Sequence, residues 1–528
     1  MVSADENRLL TESGPGTPGG DVLRRYWQPA ALTEELDSDR PVVPIRLMGE
    51  DLVLFRDDQG RLGMIGRRCP HRGVDLSYGR VEDGGLRCPF HGWLFDVTGA
   101  CLETPAEPPT STFHTRVCQV HYPVTERNGI VWAFLGEGNP PELPGLDCFV
   151  APGPQVFAFK GMWGCNWLQA HEVGIDPAHA AFLHRFLGAE DGTYGLQFRD
   201  TIADTDVTVA ELMREASAPD ITIEPTPFGF RFRTLRRYRD EFTHVRISNC
   251  IFPNAITIAM SREMSIFQWH VPIDDHRCYW YSMFVSYGEP VDAEVMRAQR
   301  ISQVTLPEYS PIADQSNNWG FDPVEQRERT YTGMGADINV HDQWAVESPG
   351  PIFDRTAEHL SPTDAGIRTH RRMFLAALRQ PDADTLIGAA DPGGSEAPAP
   401  STASPPATTS TPRGAISRRS DARPPGGPPR WRTDRCPTPR SPKTAGIGTG
   451  PTPRRQSRTR SATRGCEAFG SRSPISTGGC TARSWTQGRS PTRCATASHS
   501  RVRCSPRTPA STTHSRSGSP TAARRLPR

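Results

Sequence analysis

Two short loops constrain this 528-residue chain more than any other feature of it. Cys69-Pro70-His71 is followed, after sixteen residues, by Cys88-Pro89-Phe90-His91. Two thiols and two imidazoles could hold one zinc ion, but zinc sites usually pair their ligands at C-x2-C or H-x3-H spacing. Here each loop supplies one donor of each kind, C-x-H and then C-x2-H. That partition suits two irons, one held by two thiolates and the other by two imidazoles. Gly73 and Gly92, close behind the histidines, fit tight turns at the loop tips.

The pair of loops resembles the Rieske [2Fe–2S] module. By that resemblance Cys69 and Cys88 bind one iron, and His71 and His91 bind the other, near the surface. Respiratory Rieske proteins carry an additional Cys in each loop, forming a disulfide. Here those places hold Val74 and Phe90. The departure, with Trp93, points to the oxygenase branch of the family.

A second constellation is "CNWLQAHEVGIDPAHAAFLH", Cys165 to His184, in which Asp176, His179 and His184 follow D-x2-H-x4-H. Two imidazoles and one carboxylate on one side of a metal leave positions open for O2 and substrate, as in non-haem Fe(II) oxygenases. A five-residue step on a helix subtends about 140°, so a π-bulge or bend is expected between His179 and His184. A helix carrying two packed histidines is the blander alternative, and the upstream loops weigh against it.

This stretch resembles the catalytic domain of Rieske non-haem iron aromatic ring-hydroxylating oxygenases, in particular phthalate dioxygenase-like alpha (oxygenase) subunits. The likeness begins at "GPGTPGGDVLRRYWQPA", runs through "GEDLVLFRD", "NWLQ" and "IDPAHAAFLH", and resumes from Thr330 to Ile367. It covers most of residues 8 to 378 and none of the C-terminal part. The family places its third iron ligand far downstream, in a segment like "HDQWAVES". That implies Asp342, with Asp337 and Glu347 as fallbacks. It further implies that Asp176 links His179 to the Rieske His91 of a neighbouring subunit, hence a ring of chains, most simply a homotrimer. Asp176 before Pro177 also reads as a helix N-cap followed by N1, and the two roles are compatible.

Around these motifs the chain divides by pattern. A segment 1–24 precedes an all-β module over 25–150, with short β-branched runs between Gly and Asp turns. Residues 151–385 alternate between helical and strand patterns: helix from Asn166 to about Leu187, strands between Ile221 and Tyr287, and helices again near Asp292 to Val304 and Asp364 to Leu378. An α+β domain, an antiparallel sheet covered by helices, accounts for this. From 386 to 528 aliphatic residues nearly vanish and no periodicity survives, which predicts a disordered basic tail. From Asp391 onward there are 24 Arg and 1 Lys against 5 acidic residues, a net of +20. The rest of the chain carries a net of −19, which argues against nucleic acid as its ligand. The tail also holds five Cys and two Trp, and Arg with a single Lys is what GC-rich codons give out of frame. It is therefore read either as a native tail or as a frameshifted one, and not as catalytic.

No segment approaches the roughly 18 to 20 apolar residues needed to cross a bilayer, and the first ten residues lack a signal peptide's basic end and apolar run. A reducing cytoplasmic compartment is expected, in which the 13 Cys serve metals or packing before disulfides. The resemblance implies the oxygenase component of a multicomponent system with two cofactors, a [2Fe–2S] Rieske cluster and mononuclear non-haem Fe(II). It would use O2 and a small aromatic, phthalate-like substrate. Neither G-x-G-x-x-G after a strand nor a plant-type C-x4-C-x2-C spacing is present, so electrons are expected from a separate NAD(P)H-dependent flavin/iron–sulfur reductase. Arg246 is the candidate carboxylate anchor, against a solvent-facing ion pair. Aryl ether O-demethylation is the alternative chemistry. A Rieske ferredoxin-type electron carrier and a nucleic-acid binder acting through the tail are the alternatives from other classes.

Overall fold

The computed structural model describes residues 2–188 and 205–379, together with the backbone of a two-residue strand, Thr402–Ala403. The tail expected from residue 386, whether native or frameshifted, otherwise lies outside the described residues. Helices α1 (Ala4–Thr11) and α2 (Pro18–Arg24) precede the first strand. Strand β1 (Gln28–Leu32) later pairs with β11 (Ile130–Ala133), which also pairs with β10 (Val124–Arg127).

Two four-stranded antiparallel sheets fill the sequence between them. The first is β2 (Val42–Leu47), β3 (Glu50–Arg56), β4 (Leu62–Gly66) and β9 (His121–Tyr122). The second is β5 (Arg80–Glu82), β6 (Gly85–Arg87), β7 (Leu94–Phe95) and β8 (Cys101–Glu103). Val53, Phe55 and Ile65 of the first sheet share one apolar cluster with Leu86 and Phe95 of the second, and Cys69 and Cys88 belong to it. The two Cys-His loops therefore root their thiols in a core and leave their tips outside.

Helix α3 (Asp147–Val150) leads to β12 (Val156–Trp163). Three helices come next, α4 (Trp167–Gly174), α5 (Ala180–Leu183) and α6 (Val209–Glu215). Six strands follow: β13 (Asp220–Thr226), β14 (Gly229–Tyr238), β15 (Phe242–Ile251), β16 (Ala255–Ala259), β17 (Met264–Asp274) and β18 (Arg277–Ser286). With β12 they form an antiparallel sheet in the order β12-β18-β17-β16-β15-β14-β13, and Thr402–Ala403 pairs with β15. Helices α7 (Ala293–Ile301), α8 (Pro323–Glu328), α9 (Ile338–Glu347) and α10 (Ala365–Arg379) complete the described chain. This is the α+β architecture expected, a sheet with helices over it. No described helix is long and apolar enough to cross a membrane.

Strand alternation decides what the sheet offers its covered face. In β14, Phe230, Phe232, Thr234, Arg236 and Tyr238 are buried, whereas Arg233 and Arg237 between them are exposed. The antiparallel register sets Thr234 opposite Arg246 and Phe232 opposite Ser248. It then sets Ser248 opposite Ile258 and Ile256 opposite Gln268. One face thus presents an apolar floor interrupted by Thr234, Arg246, Ser248 and Gln268. Helix α4 crosses β16, β17 and β18, and α9 lies beside it.

A buried ion network pins these helices. Glu172 of α4 accepts from Arg355 (3.1 Å) and from Arg371 of α10 (2.5 and 2.9 Å), and Arg371 also meets Glu358. Burial alone would raise the Glu172 carboxyl; the two guanidiniums overcome it and hold the group below its ordinary value.

Candidate metal centres

The two Cys-His loops are built alike. Cys69 N–H donates to the Val74 carbonyl (2.9 Å), and Gly73 N–H donates back to the Cys69 carbonyl (2.8 Å). Cys88 N–H donates to the Trp93 carbonyl (2.8 Å), and Gly92 N–H donates to the Cys88 carbonyl (3.0 Å). Both turns close through a left-handed residue, Gly73 at φ +72° and Gly92 at φ +75°, a conformation that costs other residues about 1–2 kcal/mol. At Gly92 a Cβ would also meet Pro105 at 2.7 Å.

Cys69 and Cys88 are buried, His71 is exposed and His91 is half-buried. The two imidazoles lie 4.4 Å apart between ring centroids, and His71 stacks on Trp93. The Nδ1 atom of His91 is buried without a hydrogen-bond partner. Burial, aided by the facing Cys88, pushes the free Cys69 thiol up to about 11, against the pull of the His71 and Arg72 N–H groups. A thiolate at Cys69 therefore calls for a cation beside it. A single zinc would need its donors about 3.3–3.8 Å apart. Among the described residues, the donor groups of three or more within 4.8 Å of one another do not include these four. Thiols below and imidazoles above, too far apart for one ion, fit a cluster of two irons.

The second constellation converges. His179 Nε2 and His184 Nε2 are 3.2 Å apart, and Asp342 Oδ1 lies 3.6 Å from the first and 3.3 Å from the second. For metal–donor lengths of about 2.1 Å, donors at 90–110° stand about 3.0–3.4 Å apart, so this triangle is the right size for one ion. Asp342 Oδ1 is buried and lacks a hydrogen-bond donor. Burial alone would raise the Asp342 carboxyl, but the His184 and His179 imidazoles hold it below its ordinary value. Burial lowers His179 despite Asp342 opposite, so it stays neutral. Two imidazole nitrogens and one carboxylate oxygen converging on one point fit a cation.

Hydrogen bonds behind the rings fix which nitrogen faces that point. His179 Nδ1 bonds the Asp176 main-chain carbonyl, leaving Nε2 bare. His341 Nε2 donates to the Gly335 carbonyl (2.9 Å), which leaves its Nδ1 to accept from His184 Nδ1–H at 3.5 Å. His184 Nε2 is bare in turn. His341, fully buried and adjacent to Asp342 on α9, is a residue the sequence reading did not single out. The available signal was a second imidazole beside the expected carboxylate ligand.

Of the π-bulge or bend expected between His179 and His184, the structure has a break in the helix: α5 is a single turn that His179 opens, and His184 falls beyond its end with φ −102° and ψ 20°. Leaving the helix is what brings two residues five apart to one point. One local expectation is corrected. Asp176 is not the N-cap of α5, which is His179; its Oδ1 closes a tight turn by accepting from Ala178 N–H (2.8 Å). The turn directs the main-chain carbonyl at His179 Nδ1 and leaves carboxylate Oδ2 3.8 Å from that atom. The fallback residues stand apart. Asp337 caps α9 and pairs with Arg300 (2.8 Å). Glu347 accepts from Gly164 N–H and Trp319 Nε1–H.

The triad opens on a cavity of about 200 Å3 between the sheet floor and the helices, lined also by Val173, Thr234, Arg246, Ser248 and Gln268. Arg246 lines this cavity, with Nε donating to the Ala259 carbonyl (2.8 Å) and Nη2 beside the Met260 sulfur.

Residues 26–114 match the Rieske [2Fe-2S] domain family, and residues 148–402 match the family described as LigXa C-terminal domain like. The class these halves define is an O2-using oxidoreductase with an iron–sulfur domain and a sheet-based catalytic domain. The chain is 32% identical to the 3-chlorobenzoate-3,4-dioxygenase oxygenase subunit of Comamonas testosteroni, over 75% of this chain and 93% of that protein. It is 34% identical to the tert-butanol monooxygenase / tert-amyl alcohol desaturase oxygenase subunit of Aquincola tertiaricarbonis, over 71% and 77% of the two chains. It is 33% identical to the 5,5'-dehydrodivanillate O-demethylase oxygenase subunit of Sphingobium sp., over 72% and 81%. This chain belongs to the Rieske non-haem iron oxygenases, as an oxygenase subunit. The family's cofactors are a Rieske [2Fe–2S] cluster and a mononuclear non-haem iron, and its oxygenase subunits work with a separate electron donor. An electron carrier alone would have no use for the second half.

Proposed function

We propose that this chain hydroxylates a small aromatic acid with O2, drawing electrons from a separate NAD(P)H-dependent flavin/iron–sulfur reductase. The observation that carries this reading is the cavity itself, with His179, His184 and Asp342 at one end and Arg246 in its floor. A guanidinium fork suits a carboxylate, and Phe232, Ile258 and Ile266 suit the body of a ring. A relative that acts on 3-chlorobenzoate supports an aromatic acid, while the tert-butanol relative favours small size over aromaticity as the shared requirement.

In this reading Cys69, Cys88, His71 and His91 hold the cluster, and His179, His184 and Asp342 hold the mononuclear iron. When bound, these groups supply one-electron transfer and O2 activation. The chain's own residues orient and exclude water. The Asp176 turn and His341 keep both Nε2 atoms unprotonated, and Arg246 sets the carboxylate away from the metal. The Asp176 carboxylate, beside His179 and partly exposed, is the link to His91 of a neighbouring copy in a homotrimer. Exposed Phe182 and Tyr331, which line a surface hollow with His179, and exposed His71 and Phe90 at the cluster loops are surfaces such a ring would cover.

The demethylase relative favours a second reading, O-demethylation of an aryl methyl ether in the same cavity. Turnover with reductase, 18O2 and a panel of aromatic acids and methyl ethers separates them. Two labels in a ring diol mean dioxygenation, one label in a ring hydroxyl means monohydroxylation, and an unlabelled phenol with one formaldehyde, which carries off the inserted oxygen, means demethylation. Neither a labelled ring product nor formaldehyde from either panel overturns both readings. Arg246→Leu should raise KM for acids at least tenfold and leave neutral substrates unaffected.

A further inference from the structure

Apart from the cavity triad, one more group of three metal-capable side chains lies within 4.8 Å among the described residues: His171, Cys250 and His370. They come from α4, β15 and α10, three elements that meet only in the folded chain. All are closed to solvent, at 0%, 1% and 0% exposure. Cys250 Sγ is 3.5 Å from His171 Nε2. His370 Nε2 donates to the Pro253 carbonyl (2.7 Å), which leaves its Nδ1 as a bare lone pair. That Nδ1 is buried without a partner, and so is Nδ1 of His171.

An ordinary core explains this poorly. A buried polar atom without a partner costs about 1–3 kcal/mol, and His370 Nδ1 is such an atom. A backbone carbonyl that fixes the tautomer of an imidazole and bares its other nitrogen is the usual support behind a metal-binding histidine. The sulfur–nitrogen distance fits as well. Metal–sulfur and metal–nitrogen lengths of about 2.3 and 2.05 Å at tetrahedral to trigonal angles place the donors about 3.5–3.8 Å apart. Burial holds His171 well below its ordinary value and His370 at about 4, so both rings remain neutral donors.

We propose that His171, Cys250 and His370 form a second, buried metal site, which takes a soft monovalent cation, copper(I). Three considerations select that class. Thiolate and imidazole donors favour soft ions. Structural zinc sites close with a fourth protein ligand, whereas this group has three. Charge decides between the remaining valences. One thiolate neutralises a monovalent ion, but a divalent one would leave a net positive charge among Phe230, Ile256 and Ile367. Burial pushes the free Cys250 thiol up, so binding exchanges one proton for one Cu+. The ion would tie α4, which leads into the Asp176–His184 segment, to β15 and α10.

The test uses iron-loaded, full-length protein under anaerobic conditions, with Cu+ delivered from a chromophoric chelator. Wild type should withdraw one Cu+ per chain, release one proton, and keep its Rieske absorbance and iron content. Cys250→Ser and His370→Gln should each compete at least tenfold less well. Uptake equal in Cys250→Ser, uptake that bleaches the Rieske absorbance, or preference for Zn2+ over Cu+ overturns the proposal. If the variants fail to fold, copper-edge X-ray absorption on the wild type decides: one sulfur and two imidazoles are expected, and a sulfur-free or all-sulfur shell contradicts the site.

Discussion

The Nδ1 atoms of His184 and His341 face each other at 3.5 Å, and the far nitrogen of His341 donates to the Gly335 carbonyl. One backbone carbonyl therefore fixes, through two imidazoles, which nitrogen His184 turns toward Asp342. Losing a support of this kind typically costs 10–100-fold in metal affinity. His341→Leu should accordingly lose mononuclear iron at least about tenfold faster to a chelator, with Rieske absorbance unchanged, and His341→Asn should recover part of the loss. Equal rates would mean that His184 needs no support.

Asp176 allows a sharper separation of roles. Asp176→Asn keeps the main-chain carbonyl that bonds His179 Nδ1, so iron content should stay near wild type. Re-oxidation of the reduced Rieske centre in a single turnover should slow by about 10–100-fold if the carboxylate is the link between copies. Loss of iron instead would make Asp176 a metal-site support and nothing more.

At the cluster loops, Gly92→Ala imposes a left-handed alanine, costing about 1–2 kcal/mol, and presses a Cβ on Pro105. Gly73→Ala meets the same backbone cost with no atom within 4 Å of the new Cβ. Visible absorbance per chain should therefore fall in both variants and further in Gly92→Ala. The reverse order would contradict the loop geometry.

Glu172 links stability to pH. Its folded value is lowered, so its contribution is present in full above the unfolded value of about 4.3 and is lost as pH falls through the lowered one. Glu172→Gln leaves Arg355 and part of Arg371 buried without charge partners, which should cost about 3–5 kcal/mol at pH 7. In denaturant unfolding the gap from wild type should hold between pH 7 and 5 and narrow below about 4. A gap that widens on acidification would contradict the network.

Much of this was legible in the chain. The Cys69/His71 and Cys88/His91 partition depends on neighbours in sequence, and so do the helices at Ala293–Ile301 and Ala365–Arg379, where the periodicity is written locally. Asp342 was reached through family likeness, because nothing in 158 residues of spacing from His184 marks it. The contacts of His341 and of the His171/Cys250/His370 cluster leave no mark in the sequence. Each is made by register and packing between distant elements, and a lone His or Cys in an apolar run looks the same whether or not it meets another. At Asp176 the sequence does not separate a helix cap from a tight turn, because capping and tight-turn residues share one composition.

The central claim is that Cys69, His71, Cys88 and His91 hold a two-iron cluster while His179, His184 and Asp342 hold a third iron. Iron per chain, measured beside the visible spectrum in wild type and in His179→Ala/His184→Ala, tests it most directly. About three irons in wild type and about two in the variant, with the same absorbance and no turnover, is the predicted result. A colourless wild type, or a double variant that keeps its third iron or its turnover, would contradict it.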